Sequence, residues 1–313
     1  MLRGWTARRD CATLLASFPS VRRMIRTPAA RGIALMLASM AAFAAADTLV
    51  KLSTAALSAP QVMVLLLGGG LIGFAAMALA EGRALFDARA LGPVFLVRYA
   101  SEVAGMVGMV MALALVPLST VGAITQAAPI IATIGAVLFL GESVGWRRWS
   151  AIGAGFAGVV LIVRPGGAGF DLSVLWAVLA LVALAVRDLT TPLVPRDMAS
   201  STLAVCTMSV AVPFAVAWVL ATGEPVIAPD TDWRIAVPMI VLGSVGYVLL
   251  IASLRTADVS IVMPFRYARV LFLLALGIAV FGERPDGWVL AGAALVVASG
   301  LYMLWRRRVV DAD

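Results

Sequence analysis

Long apolar runs separated by short polar or Gly/Pro-rich breaks dominate the chain. They fall at about 32–53, 60–80, 91–116, 119–140 and 147–164, then at 172–193, 199–222, 235–255, 259–281 and 286–305. An α-helix of about 20 residues crosses a hydrocarbon core of about 30 Å. The runs are too uniformly apolar for surface helices and too long for strands. Turn chemistry fills the breaks, as in Val163-Arg-Pro-Gly-Gly167 and Thr222-Gly-Glu-Pro225. The pattern predicts an all-α integral membrane fold of ten transmembrane helices.

Composition narrows the chemistry. Of 313 residues, 62% are hydrophobic and 13% charged, against about half and a quarter in soluble domains. Histidine is absent, which removes Ser-His-Asp and Cys-His triads, histidine metal sites and histidine proton relays. Cys11 and Cys206 are too few and too far apart for a disulfide framework or a thiolate cage. No catalytic group, metal centre or cofactor is expected.

The net charge of +7 reads as topology rather than nucleic-acid binding. With both termini cytoplasmic, that side holds Arg3, Arg8, Arg9, Arg22, Arg23, Arg26, Arg31, Arg83, Arg89, Arg147, Arg148, Arg196, Arg255 and Arg306 to Arg308. The other side holds only Arg164, Arg234 and Arg284, beside the acidic loop of Glu224, Asp230 and Asp232. The positive-inside rule favours this orientation. Residues 1–31 form a basic cytoplasmic tail, or in part an over-long start ahead of Met24. Their Arg-rich, acid-poor make-up leaves a transit peptide as an alternative. Residues 306–313 form the C-terminal tail.

A shift of 141 residues brings the chain onto itself. Asp47 meets Asp188, Gly105 meets Gly246, Ser119 meets Ser260 and Gly141-Glu142 meets Gly282-Glu283. Beyond the Gly-Glu pairs the register slips by two, so that Trp149 meets Trp288 and Gly153 meets Gly292. Matched acids are scarce in a chain with 17 of them, so the duplication is not an accident of apolar composition. The offset spans five helices, an odd number, so the second copy is inverted. Two repeats, 32–164 and 172–305, follow. Inverted repeats characterise secondary transporters, whose substrate site lies near mid-membrane at the repeat interface.

Eight ionisable residues fall inside the runs: Asp47, Lys51, Arg98, Glu102, Arg187, Asp188, Arg266 and Arg269. Each costs about 2.5–3.5 kcal/mol at mid-helix and marks a pathway, a site or a buried pair. Asp47 with Lys51, and Arg98 with Glu102, have the i,i+4 spacing of intrahelical pairs. Arg266 and Arg269 follow Pro264 near mid-depth. The internal shift sets Arg266 and Tyr267 opposite Thr125 and Gln126. Arg266, Tyr267, Arg269, Thr125 and Gln126 are therefore the candidate substrate-binding residues. Neutralising one of the acids is the alternative role for either arginine. Asp47, Glu102 and Asp188 are the buried carboxylates available for proton coupling, with Lys51 and Arg98 completing the buried charge. The glycines of Gly153-x-Gly155-x-x-Gly158 and of Gly68-Gly69-Gly70 lie within apolar runs. They read as close helix packing rather than a dinucleotide fingerprint.

The five-plus-five pattern, with Gly-Glu closing the fourth and ninth runs, resembles the EamA family of the drug/metabolite transporter superfamily. Met40-Ala-Ala-Phe-Ala-Ala-Ala-Asp47 with Lys51, Pro264-Phe-Arg-Tyr267 and Phe281-Gly-Glu-Arg-Pro285 resemble a bacterial subgroup of S-adenosylmethionine uptake transporters, similar in outline to riboflavin transporters. The resemblance implies an inner-membrane carrier with both termini inside and a central cavity lined from both repeats. The expected partners are a small-molecule substrate, the lipid bilayer and, as candidate coupling ions, protons; nucleic acid is not among them. An exporter of the same family is the alternative. From other classes, an integral-membrane enzyme lacks a visible nucleophile or metal constellation, and a channel lacks a pore-loop filter.

Overall fold

The computed structural model describes residues 28–140, 145–164, 171–190, 193–195, 197–257 and 262–310. Gly141-Glu142, Ser260, the tail before residue 28 and the loop after Arg164 lie outside the described residues. Eleven α-helices are present among the described residues: α1 Pro28–Ser53, α2 Ala59–Ala80, α3 Pro93–Leu115, α4 Leu118–Thr125, α5 Ala128–Leu140, α6 Trp146–Val163, α7 Val174–Thr190, α8 Ser200–Thr222, α9 Trp233–Thr256, α10 Ala268–Phe281 and α11 Gly287–Val310. Short 3-10 turns occupy Ala88–Leu91 and Met263–Tyr267.

Seven segments are long and apolar enough to cross a membrane, and Trp149–Val163 and Gly287–Tyr302 are shorter apolar helices. Two expected continuous runs differ from expectation. The fourth, 119–140, is split at Gln126–Ala127 into α4 and α5, and the ninth opens as a 3-10 turn before α10. Proline explains both breaks: Pro129 and Pro264 lack the N–H an α-helix needs and push the preceding residue away from helical geometry. At the other end of the chain, α11 continues to Val310, past the predicted boundary at 305.

The bundle is laced by antiparallel helix pairs. Ser39 Oγ donates to the Gly246 carbonyl at 2.6 Å and Ser253 Oγ to the Gly32 carbonyl at 2.6 Å, which fixes α1 against α9 in opposite directions. On α3 and α7, a Cβ at Gly108 would lie 2.7 Å from the Ala180 nitrogen, and one at Gly105 would lie 3.4 Å from the Ala183 Cβ. The start of α2 is tied to the end of α8 through Ser58 with Glu224, and Gln61 Nε2 with the Pro225 carbonyl at 3.0 Å. Its far end meets the start of α8 through Ser201 Oγ with Glu81 at 2.8 Å. Gly155 and Gly158 on α6 face Ser299 and Gly292 on α11, so this glycine run is a packing seam between helices.

Large apolar side chains remain outside, among them Ile72, Leu138, Leu271 and Ile278, while Ser39, Thr48, Ser101, Thr120 and Ser253 are buried. An apolar perimeter around a partly polar interior suits lipid as the surrounding solvent. Outside the spans, Arg89 forks onto Asp87 and Asp197, with closest contacts of 2.7 and 2.9 Å. The guanidinium holds both carboxyls below the usual aspartate range.

Candidate functional site: a broken-helix centre with buried arginines

The two helix breaks meet. The Gln126 side chain donates from Nε2 to the Arg266 carbonyl at 2.7 Å, so the turn after α4 is pinned to the 3-10 turn before α10. Backbone groups freed by a broken helix need such partners at membrane depth. Thr125, buried, donates its hydroxyl to the Val121 carbonyl of its own helix at 2.8 Å. Tyr267 is also buried, its ring packed where a Cβ at Gly300 of α11 would overlap it.

The two arginines, one turn apart, have different surroundings. Arg269 Nη2 bonds Asp47 Oδ2 at 2.5 Å, and its guanidinium lies 5.4 Å from the centroid of the Phe43 ring. Its Nε is buried without a hydrogen-bond partner among the described residues. Arg266 has no carboxylate within 4.0 Å among the described residues; its nearest polar contact is the Met263 sulfur at 3.9 Å from Nη1. Asp188, Arg187 and Arg269 are the charges that act on it. Arg266 as a whole is half-buried.

On the neighbouring wall, Arg187 contacts Asp188 at 3.1 Å and Glu102 at 4.0 Å, and Arg98 donates to the Arg187 carbonyl at 3.2 Å. Tyr247 of α9 completes this wall. It senses Arg98, Arg187 and Glu102 electrostatically, and its ring meets Phe74 edge-on at 4.7 Å. Sequence reasoning missed Tyr247; a tyrosine in the middle of an otherwise apolar run was the available signal.

The intrahelical Asp47–Lys51 pair does not form. Asp47 is taken by Arg269, while Lys51 reaches across to α3 and donates to the carbonyls of Leu113 at 3.0 Å and Val116 at 2.6 Å. A long side chain that can satisfy carbonyls freed at a helix end gains more there than from one carboxylate a turn away. Glu102 likewise lies within salt-bridge distance of Arg187 on another helix.

Apolar helices of spanning length, helices broken at prolines and a polar centre between them define a multi-pass membrane protein of the transporter class. The EamA-like transporter family matches residues 30–164 and again 171–305, and the chain belongs to that family. An S-adenosylmethionine uptake transporter of Rickettsia bellii is 27% identical over 211 residues, covering 65% of this chain and 69% of the relative. A riboflavin transporter of Rhizobium johnstonii is 29% identical over 202 residues, covering 64% and 66%. One solved crystal structure superposes with a TM-score of 0.58 at 21% identity, over 88% of this chain and 98% of that one, a likeness of fold alone. The protein is a membrane transporter, and its relatives are transporters rather than enzymes.

Proposed function

We propose that this transporter is an inner-membrane secondary carrier working by alternating access, with ten spans in two inverted repeats, 32–164 and 172–305, and both termini cytoplasmic. The antiparallel pairs support that reading. Under the five-helix offset, α2 with α8, α4 with α10 and α6 with α11 each join a span to its own counterpart. The α1–α9 and α3–α7 pairs exchange with each other under the same offset. That is the pairing a pseudo-two-fold axis in the membrane plane generates.

The substrate is a small metabolite bearing an anionic group, of the kind represented by S-adenosylmethionine or another amino-acid- or vitamin-like compound. The observation that carries this is Arg266: a guanidinium at a helix break with no carboxylate in ion-pair reach among the described residues. Arg266 holds the anionic group, Gln126 fixes the backbone beneath it, and Arg269, Thr125 and Tyr267 shape the wall. Asp47, Glu102 and Asp188 are the carboxylates through which a proton gradient would act.

Counterflow into proteoliposomes tests the reading, using labelled S-adenosylmethionine, riboflavin and a panel of amino acids and nucleotides. Saturable exchange of at least one anion-bearing compound is expected. Exchange restricted to uncharged compounds would remove the anionic-site reading. Equal flux with and without a pH gradient would remove proton coupling. Export rather than uptake would appear as substrate accumulation limited to inside-out vesicles.

A further inference from the structure

At the end of the bundle away from the Gln126–Arg266 contact, two charged side chains bind four helix ends together. Gly282 ends α10 in a left-handed turn with φ 64°, a conformation open to glycine, and this reverses the chain so that Glu283 points back at α4. The Glu283 carboxylate accepts from the Leu118 N–H at 2.5 Å, the Ser119 N–H at 3.0 Å and the Ser119 hydroxyl at 2.7 Å. A carboxylate on free N–H groups at a helix N-terminus is the favourable arrangement for charge and hydrogen bonding alike. Gly277 makes the space, since a Cβ there would lie 2.5 Å from Glu283 Oε2. Lys51, the one lysine of the chain, holds the Leu113 and Val116 carbonyls at the end of α3 and lies 5.4 Å from the centroid of the Phe281 ring of α10. Glu283 is the charged group that acts on it.

The Glu283 bonds to α4 and the Lys51–Phe281 contact join the halves, while the Lys51 bonds to α3 brace the first repeat at the same end. Glu283 and Phe281 belong to the second repeat; Leu118, Ser119 and Lys51 belong to the first. They also reach the site. Helix α4 has eight residues, about 12 Å, and is strapped to the ninth span at both ends, by Glu283 at its start and by Gln126 on the Arg266 carbonyl at its finish. The internal shift sets Pro192 opposite Lys51, so the two repeats differ in sequence at this position.

We propose that Glu283 and Lys51 are positioning residues of the transport cycle: they latch this end of the bundle shut, and the central cavity opens there only when the Glu283–α4 and Lys51–α3 contacts part. The inference rests on the alternating-access reading above. A carrier closes each end in turn with contacts that must break in the other state, and contacts between repeats at an end of the bundle are of that kind. Because the latch holds this end, losing it biases the resting population toward opening on its own side.

Pulsed EPR distances test this without a substrate. Spin labels go on Ala114→Cys at the end of α3 and Arg284→Cys just after α10, both exposed at the latched end, in a Cys11→Ser, Cys206→Ala background in nanodiscs. The unaltered latch gives one short distance. Glu283→Gln and Lys51→Met each raise a longer-distance population about tenfold, the change expected when a charge-assisted hydrogen bond is lost. Ser119→Ala, which removes one donor of three, raises it less, and stands in should Glu283→Gln fail to insert. An unchanged distance distribution in an inserted, monodisperse Glu283→Gln protein, or in Ser119→Ala where that protein is absent, overturns the proposal.

A kinetic arm uses S-adenosylmethionine as probe. Unlatching lowers KM from the latched side and raises it from the other, because apparent affinity scales with the competent population. General damage lowers the maximal rate from both sides without that opposition, and such a result also counts against the latch. If S-adenosylmethionine is not carried, the substrate assignment fails while the distance result still decides the latch.

Discussion

Arg266 and Arg269 are one turn apart at the same break, yet the bundle treats them differently. Arg269 is met by Asp47 at 2.5 Å and by the ring of Phe43; Arg266 meets a thioether and has no carboxylate within 4.0 Å among the described residues. A membrane-level charge carries the same insertion cost in either place. What separates a fastener from a binding group is whether the surrounding helices supply the counter-charge. The Asp47–Arg269 pair ties α1 to α10, whereas Arg266 has no such fastening carboxylate among the described residues, which is why it is the proposed substrate group.

The largest effect should come from breaking the fastener. Asp47→Ala leaves Arg269 buried and unpaired, and should cost about 3–5 kcal/mol of stability, seen as a large drop in thermal midpoint in detergent. Replacing both partners, Asp47→Ala with Arg269→Met, should recover most of that loss; if it does not, Asp47 matters for another reason. Next, Arg266→Ala should insert with an unchanged or higher midpoint and lose about ten- to a hundredfold in transport efficiency for an anion-bearing substrate, the worth of a charged hydrogen bond. Equal losses of stability in the Arg266 and Arg269 variants would erase the contrast between them. The smallest effect belongs to the exposed fork of Arg89 on Asp87 and Asp197. Both carboxyls titrate below their ordinary value in the folded protein, so their contribution is present above the unfolded aspartate pKa, about 3.9, and vanishes as pH falls through the depressed values. The midpoint difference between the parent and Arg89→Ala should be small near neutrality and disappear in strong acid.

Much of this architecture was legible because hydrophobic length and turn chemistry are local signals. The runs marked nearly every helix, the prolines at 129 and 264 marked the breaks in retrospect, and the internal shift already set Arg266-Tyr267 opposite Thr125-Gln126, the two segments that the Gln126–Arg266 contact joins. Partners were less legible. Spacing along one helix suggested Asp47 with Lys51, but each found a better partner on another helix once packing brought α10 and α3 alongside α1. The Gly-Glu ending stood out as a repeated word; that its glutamate caps α4 depends on how the chain turns at Gly282, which no linear pattern contains. Tyr247 stood out only as a lone tyrosine in an apolar run; its charged neighbours come from α3 and α7, which the run does not contain.

The seam between α6 and α11 imposes a mechanical asymmetry. A Cβ at Gly158 would stand 2.8 Å from the Gly292 carbonyl, and one at Gly292 2.6 Å from the Gly158 carbonyl, so backbone rests on backbone with no side-chain layer between. A leucine seam can slide by swapping rotamers; two ribbons in direct touch have no such lubricant. On the alternating-access proposal, α6 and α11 therefore move as one unit, a post about which the other helices turn.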